Sequence, residues 1–381
     1  MKTKESTIPF HRPTVSSLEL QYIQDAIARN HLEANGYYTQ QCQQWLQNFL
    51  NAQKVLLTHS CTAALELCAL LLDIQPGDEI IMPSYTFSST ANAFVLFRGV
   101  PVFVDIHPTT LNIDPQLIQQ AITPKTKAIV AVHYAGVGCE MESLLEIAEK
   151  NNLYLIEDAA QALQAYYTEK PLGSFGHLSA FSFHATKNIV SGEGGALVIN
   201  DSRFKERAEI LAEKGTNRRQ FLRGAVDKYT WIDKGSSYLP SELIAAFLLA
   251  QLEKSDVLTQ QRLKIWNEYQ ESFKDNEAAQ QLKRPTLPKE AQHNAHIYYL
   301  LLKNEETRNT LLQYLRNQGI QATHHYVPLH SAPAGLRLGK TVGSLTNTDI
   351  ISKTMLRLPL WGELSIADQN TIIKSVKNFF L

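Results

Sequence analysis

The sequence predicts an α/β fold, with a large domain built on a mainly parallel central sheet and a small C-terminal α+β domain. Three observations predict it. Short apolar runs alternate with helical patterns from about residue 50 to 250. That alternation stops after about residue 255. The chain has 381 residues, 44% hydrophobic and 19% charged, which suits a globular protein with more than one core. The expected division is 1–255 for an N-terminal arm and the large domain, and 256–381 for the small one.

Residues 1–35 read as an extended arm and a helix. Pro13 biases Arg12 toward extended geometry, and Ser16-Ser17-Leu18-Glu19 resembles a capping box. Val55–Leu57 is a strand, followed by a helix from Thr62 to about Leu72. Strands are predicted at Glu79–Met82, Pro101–Asp105 and Ala128–His133, with helices near Ser88–Arg98 and Ser143–Asn151. Leu153–Ile156 is a short apolar strand ending at Glu157-Asp158, and Ala196–Ile199 is another. Alternation of this kind implies parallel strands covered on both faces. Beyond it come a long helix at Val257–Phe273, a strand at His296–Leu301, and helices at Thr307–Gln318 and Ile366–Phe380.

Composition narrows the function. The net charge is −1 and no basic block stands out, so a nucleic-acid partner has no electrostatic support. The four cysteines (Cys42, Cys61, Cys68, Cys139) form no CxxC pair, so neither a zinc site nor a disulfide framework is expected. Met1–Ser6 lacks an apolar signal core, and the apolar stretches are too short to span a bilayer. A cytoplasmic protein without a membrane partner is the expectation.

Lys187 is the most informative residue. It stands alone among small, hydroxylated and aromatic residues, with only His184 as a basic neighbour, ahead of the turn Gly192-Glu193-Gly194-Gly195. Asp158 ends a buried strand 29 residues earlier. Singly, a lysine near glycines is usually exposed and an Asp after a strand is usually a helix cap. Together they suit pyridoxal phosphate (PLP): the lysine amine bonds the cofactor, and the carboxylate keeps its ring nitrogen protonated.

Other candidates follow from this pair. Ser60-Cys61-Thr62 begins a helix whose free N–H groups suit a phosphate, with Ser182 adding a hydroxyl. The alternative is a plain helix cap. Phe87, after a strand, could stack on a planar cofactor or belong to the core. Gln161, three residues after Asp158, could address the cofactor's phenolic oxygen or be an exposed Gln. Asn217-Arg218 is plausible for a diphosphate, or is ordinary surface. His325, Tyr326 and His330 lie in a histidine-rich stretch without a carboxylate or Cys, so no metal site is expected and a substrate role is kept for them, as for His184. Thr39, in Gly36-Tyr37-Tyr38-Thr39, is part of a pocket or a turn.

These motifs together resemble the DegT/DnrJ/EryC1/StrS family of sugar aminotransferases. The matching segments are Ser60–Leu65, Gly77–Ile81, Pro83–Phe87, Glu157–Gln161, Ser182–Asn188, Gly192–Gly195 and His325–His330. The resemblance runs from Ile8 to the last helix and implies the aspartate aminotransferase-like architecture of fold type I PLP enzymes. Three further segments, Leu72–Asp78, Lys214–Arg218 and Tyr229–Glu242, match a branch acting on nucleotide sugars of enterobacterial common antigen. That match implies a dTDP-4-keto-6-deoxy sugar and L-glutamate as substrates, and a homodimer or higher homo-oligomer. One position departs. Many relatives place an Asn from the neighbouring subunit on the cofactor phosphate, where this chain has Leu239. Ser236 or Ser237 is the candidate replacement. Two rivals remain: a sugar dehydratase of the family, which Lys187 argues against because those enzymes have His there, and a PLP-binding regulator without turnover.

Overall fold

The computed structural model describes residues 7–381. After the arm, α1 (Ser17–Ala28) starts at the expected capping box, with the Ser16 side chain and Glu19 exchanging bonds across the first turn. A second helix, α2 (Tyr37–Leu50), follows. The sheet then builds through β1 (Lys54–Thr58), α3 (Cys61–Leu71), β2 (Glu79–Pro83), α4 (Ser88–Val95), β3 (Val100–Val104), β4 (Thr126–Val132) and β5 (Tyr154–Asp158). The two-residue strands β6 (Tyr166–Tyr167) and β7 (Lys170–Pro171) form a small flap. Strands β8 (Leu178–Ser182) and β9 (Gly195–Ile199) complete this part.

The C-terminal part contributes β10 (Leu282–Lys283), β11 (Ala291–Gln292), β12 (Tyr298–Leu302), β13 (Lys340–Thr341) and β14 (Met355–Leu358). The large sheet has the order β1-β9-β8-β5-β4-β2-β3-β13. All neighbours pair in parallel except where β9 meets β8 and β1. β9 runs the other way because a loop, not a crossover helix, joins it to β8, and that loop carries Lys187. A second sheet, β10-β12-β14, forms the small layer.

Apolar clusters cover both faces of the large sheet. On one, Leu57, Ile81, Val104, Ile129 and Leu155 meet α2 and the helix Glu242–Glu253. On the other, Leu56, Ile80, Met82, Val130 and Ile156 meet α3 and α4. Alternate residues of one strand thus feed two cores, as a two-faced parallel sheet requires. A third cluster joins the small sheet to the helices Ser255–Ser272, Glu305–Asn317 and Ile366–Phe379. Among the described residues no helix is long and apolar enough to cross a membrane.

The segment Gly36–Thr39, expected in a pocket or turn, opens α2 instead. Its N-terminal N–H groups have no cap of their own sequence. They donate to the buried carboxylate of Glu242: Gly36 at 3.0 Å, Tyr38 at 2.7 Å and Thr39 at 3.1 Å. The Thr39 hydroxyl donates to the same carboxylate, and Thr39 does not line the cavity described below. Glu242→Ala strands these donors and is expected to cost about 3 kcal/mol of stability, since each buried unsatisfied group costs roughly 1–3 kcal/mol. Urea denaturation reads this as a lower midpoint with an unchanged slope. An equal midpoint would mean that water caps α2 as well as Glu242 does.

Candidate active site

The C-terminal ends of β2, β5 and β8 and the loop after β8 surround a cavity of about 610 Å³. Ligands bind at this end of α/β sheets because strands stop there and helices begin. The cavity gathers Ser60, Cys61, Thr62, Phe87, Asp158, Gln161, Ser182, His184, Lys187, His325 and Tyr326.

One wall is the N-terminus of α3. Ser60 caps it, its Oγ accepting from Ala63 N at 3.1 Å. The Cys61 and Thr62 N–H groups come before the first intrahelical bond and are free to face an anion. Gly195 lets β9 pass close behind. A Cβ there would sit 2.4 Å from the Ser60 carbonyl carbon and 2.5 Å from Cys61 N, so any side chain would push the helix start out of place. Thr62 Oγ1 lies 2.8 Å from Ser89 Oγ, which carries the hydroxyl wall to α4. Burial pushes the Cys61 thiol well up, so it stays protonated.

Asp158 forms the floor. Its Oδ2 accepts from Thr90 Oγ1 at 2.7 Å, and Thr86 Oγ1 lies 2.8 Å behind Thr90. Its Oδ1 accepts from Ala160 N at 3.2 Å. Burial raises the Asp158 pKa, against the pull of Thr90 and, more weakly, of Lys187. Lys187 shows the opposite shift: burial lowers its pKa, assisted by the charge of Arg357. Burial thus disfavours the charged forms of both a carboxyl and an amine that face one cavity.

The remaining walls are aromatic and imidazole. Phe87 is 60% exposed at the cavity rim, so it is not a core residue. Gln161 is not a free surface side chain. Its Oε1 accepts from Ala135 N at 2.8 Å and its Nε2 donates to Tyr326 Oη at 3.2 Å. His325 Nδ1 lies 3.1 Å from Tyr134 Oη, and burial holds its pKa well below the usual range. His184 Nδ1 lies 2.9 Å from Thr186 Oγ1, and its Nε2 is 3.6 Å from Glu193.

Other candidates lie elsewhere in this chain. His330 Nδ1 lies 2.8 Å from Ser84 Oγ, outside the cavity lining. Asn217 is buried and staples its own loop, accepting from Thr230 N at 2.7 Å and donating to Lys228 O at 3.1 Å. Arg218 sits 3.5 Å from Glu213 beside a separate cavity of about 300 Å³ that Ser237 and Leu239 also line. Ser236 and Ser237 are exposed and do not reach Lys187 within one chain. The cavity also holds residues that sequence reasoning did not single out: Phe10, His11, Ser89, Thr90, His296 and Arg357. The visible signal for Arg357 was a lone charge inside the apolar run Met355–Leu358.

The DegT/DnrJ/EryC1/StrS aminotransferase family model matches residues 13–377. The chain belongs to that family. It is 32% identical to the spore coat polysaccharide biosynthesis protein SpsC of Bacillus subtilis, covering 97% of this chain and 96% of that one. Two solved structures superpose along nearly the full length at 27% identity. The PLP form of Spr1654 from Streptococcus pneumoniae gives a TM-score of 0.90, with 98% of each chain covered. PseC of Helicobacter pylori, an aminotransferase involved in the biosynthesis of pseudoaminic acid, gives 0.89, with 98% of this chain and 99% of that one covered. The fold is therefore that of fold type I PLP enzymes, and DegT/DnrJ/EryC1/StrS aminotransferases use PLP to move an amino group from a donor to a sugar.

The residues present fit PLP. The α3 N-terminus and Ser182 suit the phosphate, Asp158 the ring nitrogen, Gln161 the phenolic oxygen and Lys187 the aldehyde. The fit rests on the cradle that Gly195 keeps open and on the placing of Asp158 and Lys187 in one cavity with the α3 N-terminus.

Proposed function

We propose that this protein is a dTDP-4-amino-4,6-dideoxygalactose transaminase. It moves the amino group of L-glutamate to C4 of dTDP-4-dehydro-6-deoxy-D-glucose, giving dTDP-4-amino-4,6-dideoxy-D-galactose and 2-oxoglutarate, in synthesis of an enterobacterial common antigen type polysaccharide. The observation that carries an aminotransferase reading is the convergence of Lys187, Asp158 and the α3 N-terminus on one cavity. The motifs at Leu72–Asp78, Lys214–Arg218 and Tyr229–Glu242 support the choice of sugar, and SpsC and PseC, by their names, belong to polysaccharide and sugar-acid biosynthesis.

PLP, when bound, would supply the electron sink and the acceptor for the amino group. Asp158 supplies the negative charge that holds a proton on the ring nitrogen. The Lys187 amine takes the proton from the donor Cα in the first half-reaction and delivers one to sugar C4 in the second. The dTDP group, remote from C4, supplies binding energy that orients the reacting carbon. The purified protein, given PLP, L-glutamate and a panel of dTDP- and UDP-4-keto sugars, is expected to aminate the dTDP-4-dehydro-6-deoxyglucose, read by product mass and NMR. Preference for another 4-keto or a 3-keto sugar would replace the substrate and keep the chemistry. No amination of any sugar, with glutamate leaving the cofactor spectrum unchanged, would favour a regulator.

The same reading includes a homodimer or higher oligomer in the cytoplasm. Supporting it, the segment carrying Ser236 and Ser237 is exposed together with Tyr229, Trp231 and Ile232, an apolar group that a monomer gains little by exposing. Sedimentation at assay concentration is expected to give at least a dimer. If a serine replaces the missing Asn, the Ser236→Ala, Ser237→Ala double variant loses roughly 10-fold in PLP affinity, the worth of one hydrogen bond to a charged group, and stays dimeric. Unchanged affinity removes the serines from the site.

A further inference from the structure

His296 lines the cavity with one ring nitrogen engaged by the fold and the other unmatched. The engaged one is Nδ1, 3.0 Å from Asn188 Oδ1. Asn188 Nδ2 donates to the Asn294 carbonyl at 2.8 Å. A carbonyl only accepts, so the Asn188 atom left for the imidazole is its oxygen. Nδ1 therefore carries the ring proton, and Nε2 is an acceptor. Nε2 has no partner among the described residues and is not shut off as Arg357 Nε is, so it opens onto the space that the residue lines. The ring is also fixed in place. Its own N–H donates to Asn294 Oδ1 at 3.1 Å, and its carbonyl accepts from Arg262 Nη2 at 2.7 Å. Burial, and after it the charges of Lys187, Arg262 and Arg357 and of His325 when protonated, hold the His296 pKa well below the usual range.

His296 lines two spaces: the active-site cavity and, beside it, a void of about 10 Å³, room for one water-sized group. Lys187 lines both as well. The void is too small for a sugar or a donor amino acid. Three amide side chains at it are already engaged, Gln161 with Tyr326, Asn188 with the Asn294 carbonyl, and Asn294 with the carbonyls of Gln161 and Leu163. The side-chain donors left there are the Lys187 amine and the Ser182 hydroxyl.

We propose that His296 is a positioning residue for Lys187, its Nε2 accepting an N–H of the lysine amine whenever that amine is not bonded to the cofactor. This rests on the aminotransferase reading above and names what holds the lysine between its proton transfers. To act as base and then as acid, the amine must first leave the cofactor. A released lysine has many rotamers, and few of them aim the nitrogen at the reacting carbon. A fixed acceptor beside it selects among them. A neutral acceptor suits the task, because amine and ammonium both have an N–H to donate to it. A carboxylate in its place would favour the ammonium and oppose proton delivery. An imidazole that titrated near neutrality would lose the lone pair. Asn188 follows Lys187 in the chain, so the loop that carries the lysine also sets the tautomer of its acceptor.

The test is nitrogen-15 NMR of histidine-labelled protein loaded with PLP, which occupies the lysine, or with pyridoxamine phosphate, which leaves it free. In both forms His296 is expected to show a protonated Nδ1 and a bare Nε2. Only in the pyridoxamine phosphate form should the Nε2 resonance move upfield, as an acceptor does on receiving a hydrogen bond, and Lys187→Ala should abolish that move. The same move in Lys187→Ala would make Ser182 or the cofactor the donor and overturn the proposal, as would an Nε2 resonance alike in the two wild-type forms or an Nε2 that carries the proton. Kinetics give a second reading. In His296→Asn the amide nitrogen takes the place of Nδ1 and keeps the bond to Asn188, while the acceptor is deleted. Single-turnover conversion of the PLP form by L-glutamate should slow roughly 30-fold in this variant, the scale of a hydrogen bond to a charged group, with glutamate affinity within about 2-fold. His296→Gln, whose amide reaches the place of Nε2, should recover part of the rate. A wild-type rate in His296→Asn would reduce His296 to a structural residue. If neither variant folds, the comparison of wild type with Lys187→Ala decides. Should glutamate fail to convert the cofactor while the Nε2 resonance still follows the freeing of Lys187, the donor assignment fails and the contact stands.

Discussion

Lys187→Ala is expected to lower turnover by about 10,000-fold or more, the upper range for a positioned acid–base group. Among the described residues Lys187 is the only lysine lining the cavity, and the other basic groups there are His11, His184, His296, His325 and Arg357. None of these has a primary amine to bond an aldehyde. Burial lowers the pKa of Lys187, so an unprotonated amine is accessible at a lower pH than for an exposed lysine. In the cofactor-free wild type, covalent loading of PLP should therefore accelerate with rising pH and level off below the usual lysine range. The variant should bind PLP through the α3 N-terminus and Asp158, because those groups are untouched. Borohydride treatment should fix the cofactor to Lys187 of the wild type, located by peptide mapping, and should fix none to the variant. Multiple turnovers near the wild-type rate in Lys187→Ala would end the assignment.

What the sequence made legible is what is local. The capping box at Ser16–Glu19, the alternation from β1 to β5 and the Asp158–Lys187 order each depend on residues a few positions apart. They appear in the fold where expected. The helix α2 was not legible, because the acceptor that starts it, Glu242, lies 206 residues beyond Gly36. The same distance hid the true place of Thr39. Gln161 was read from its spacing to Asp158, and it does face the cavity. Its partner Tyr326 comes from 165 residues away, which no spacing rule could pair with it. Arg357 was hidden for a related reason. Strand β14 belongs to the small sheet, far along the chain from the other cavity residues, and a single Arg in a short apolar strand has no local partner to mark it.

Asp158→Asn is the second large effect, and it should separate activity from stability. An amide cannot supply the negative charge that holds a proton on the ring nitrogen. Each pKa unit lost there is worth 1.36 kcal/mol, so a shift of two units slows the reaction by about 100-fold. The geometry should survive, because Asn Oδ1 can accept from Ala160 N while Nδ2 donates to the Thr90 hydroxyl, and the volume is unchanged. Thr90→Val tests that link separately. It keeps the charge and removes one hydrogen bond, so a loss of roughly 10-fold is expected. The cofactor-free protein should respond in the opposite sense. Burial raises the Asp158 pKa, so between the unfolded value of 3.8 and the folded value the native state holds the proton that the unfolded state has lost. Stability falls as pH rises through that window, and the penalty is complete above it. Asp158→Asn removes the penalty, and the cofactor-free variant should melt above wild type at neutral pH and match it well below pH 3.8. Lower activity with a higher melting point is the signature of a charge kept for the cofactor's sake. Full activity in Asp158→Asn, or a lower melting point with activity to match, would reduce Asp158 to a structural residue at the end of β5.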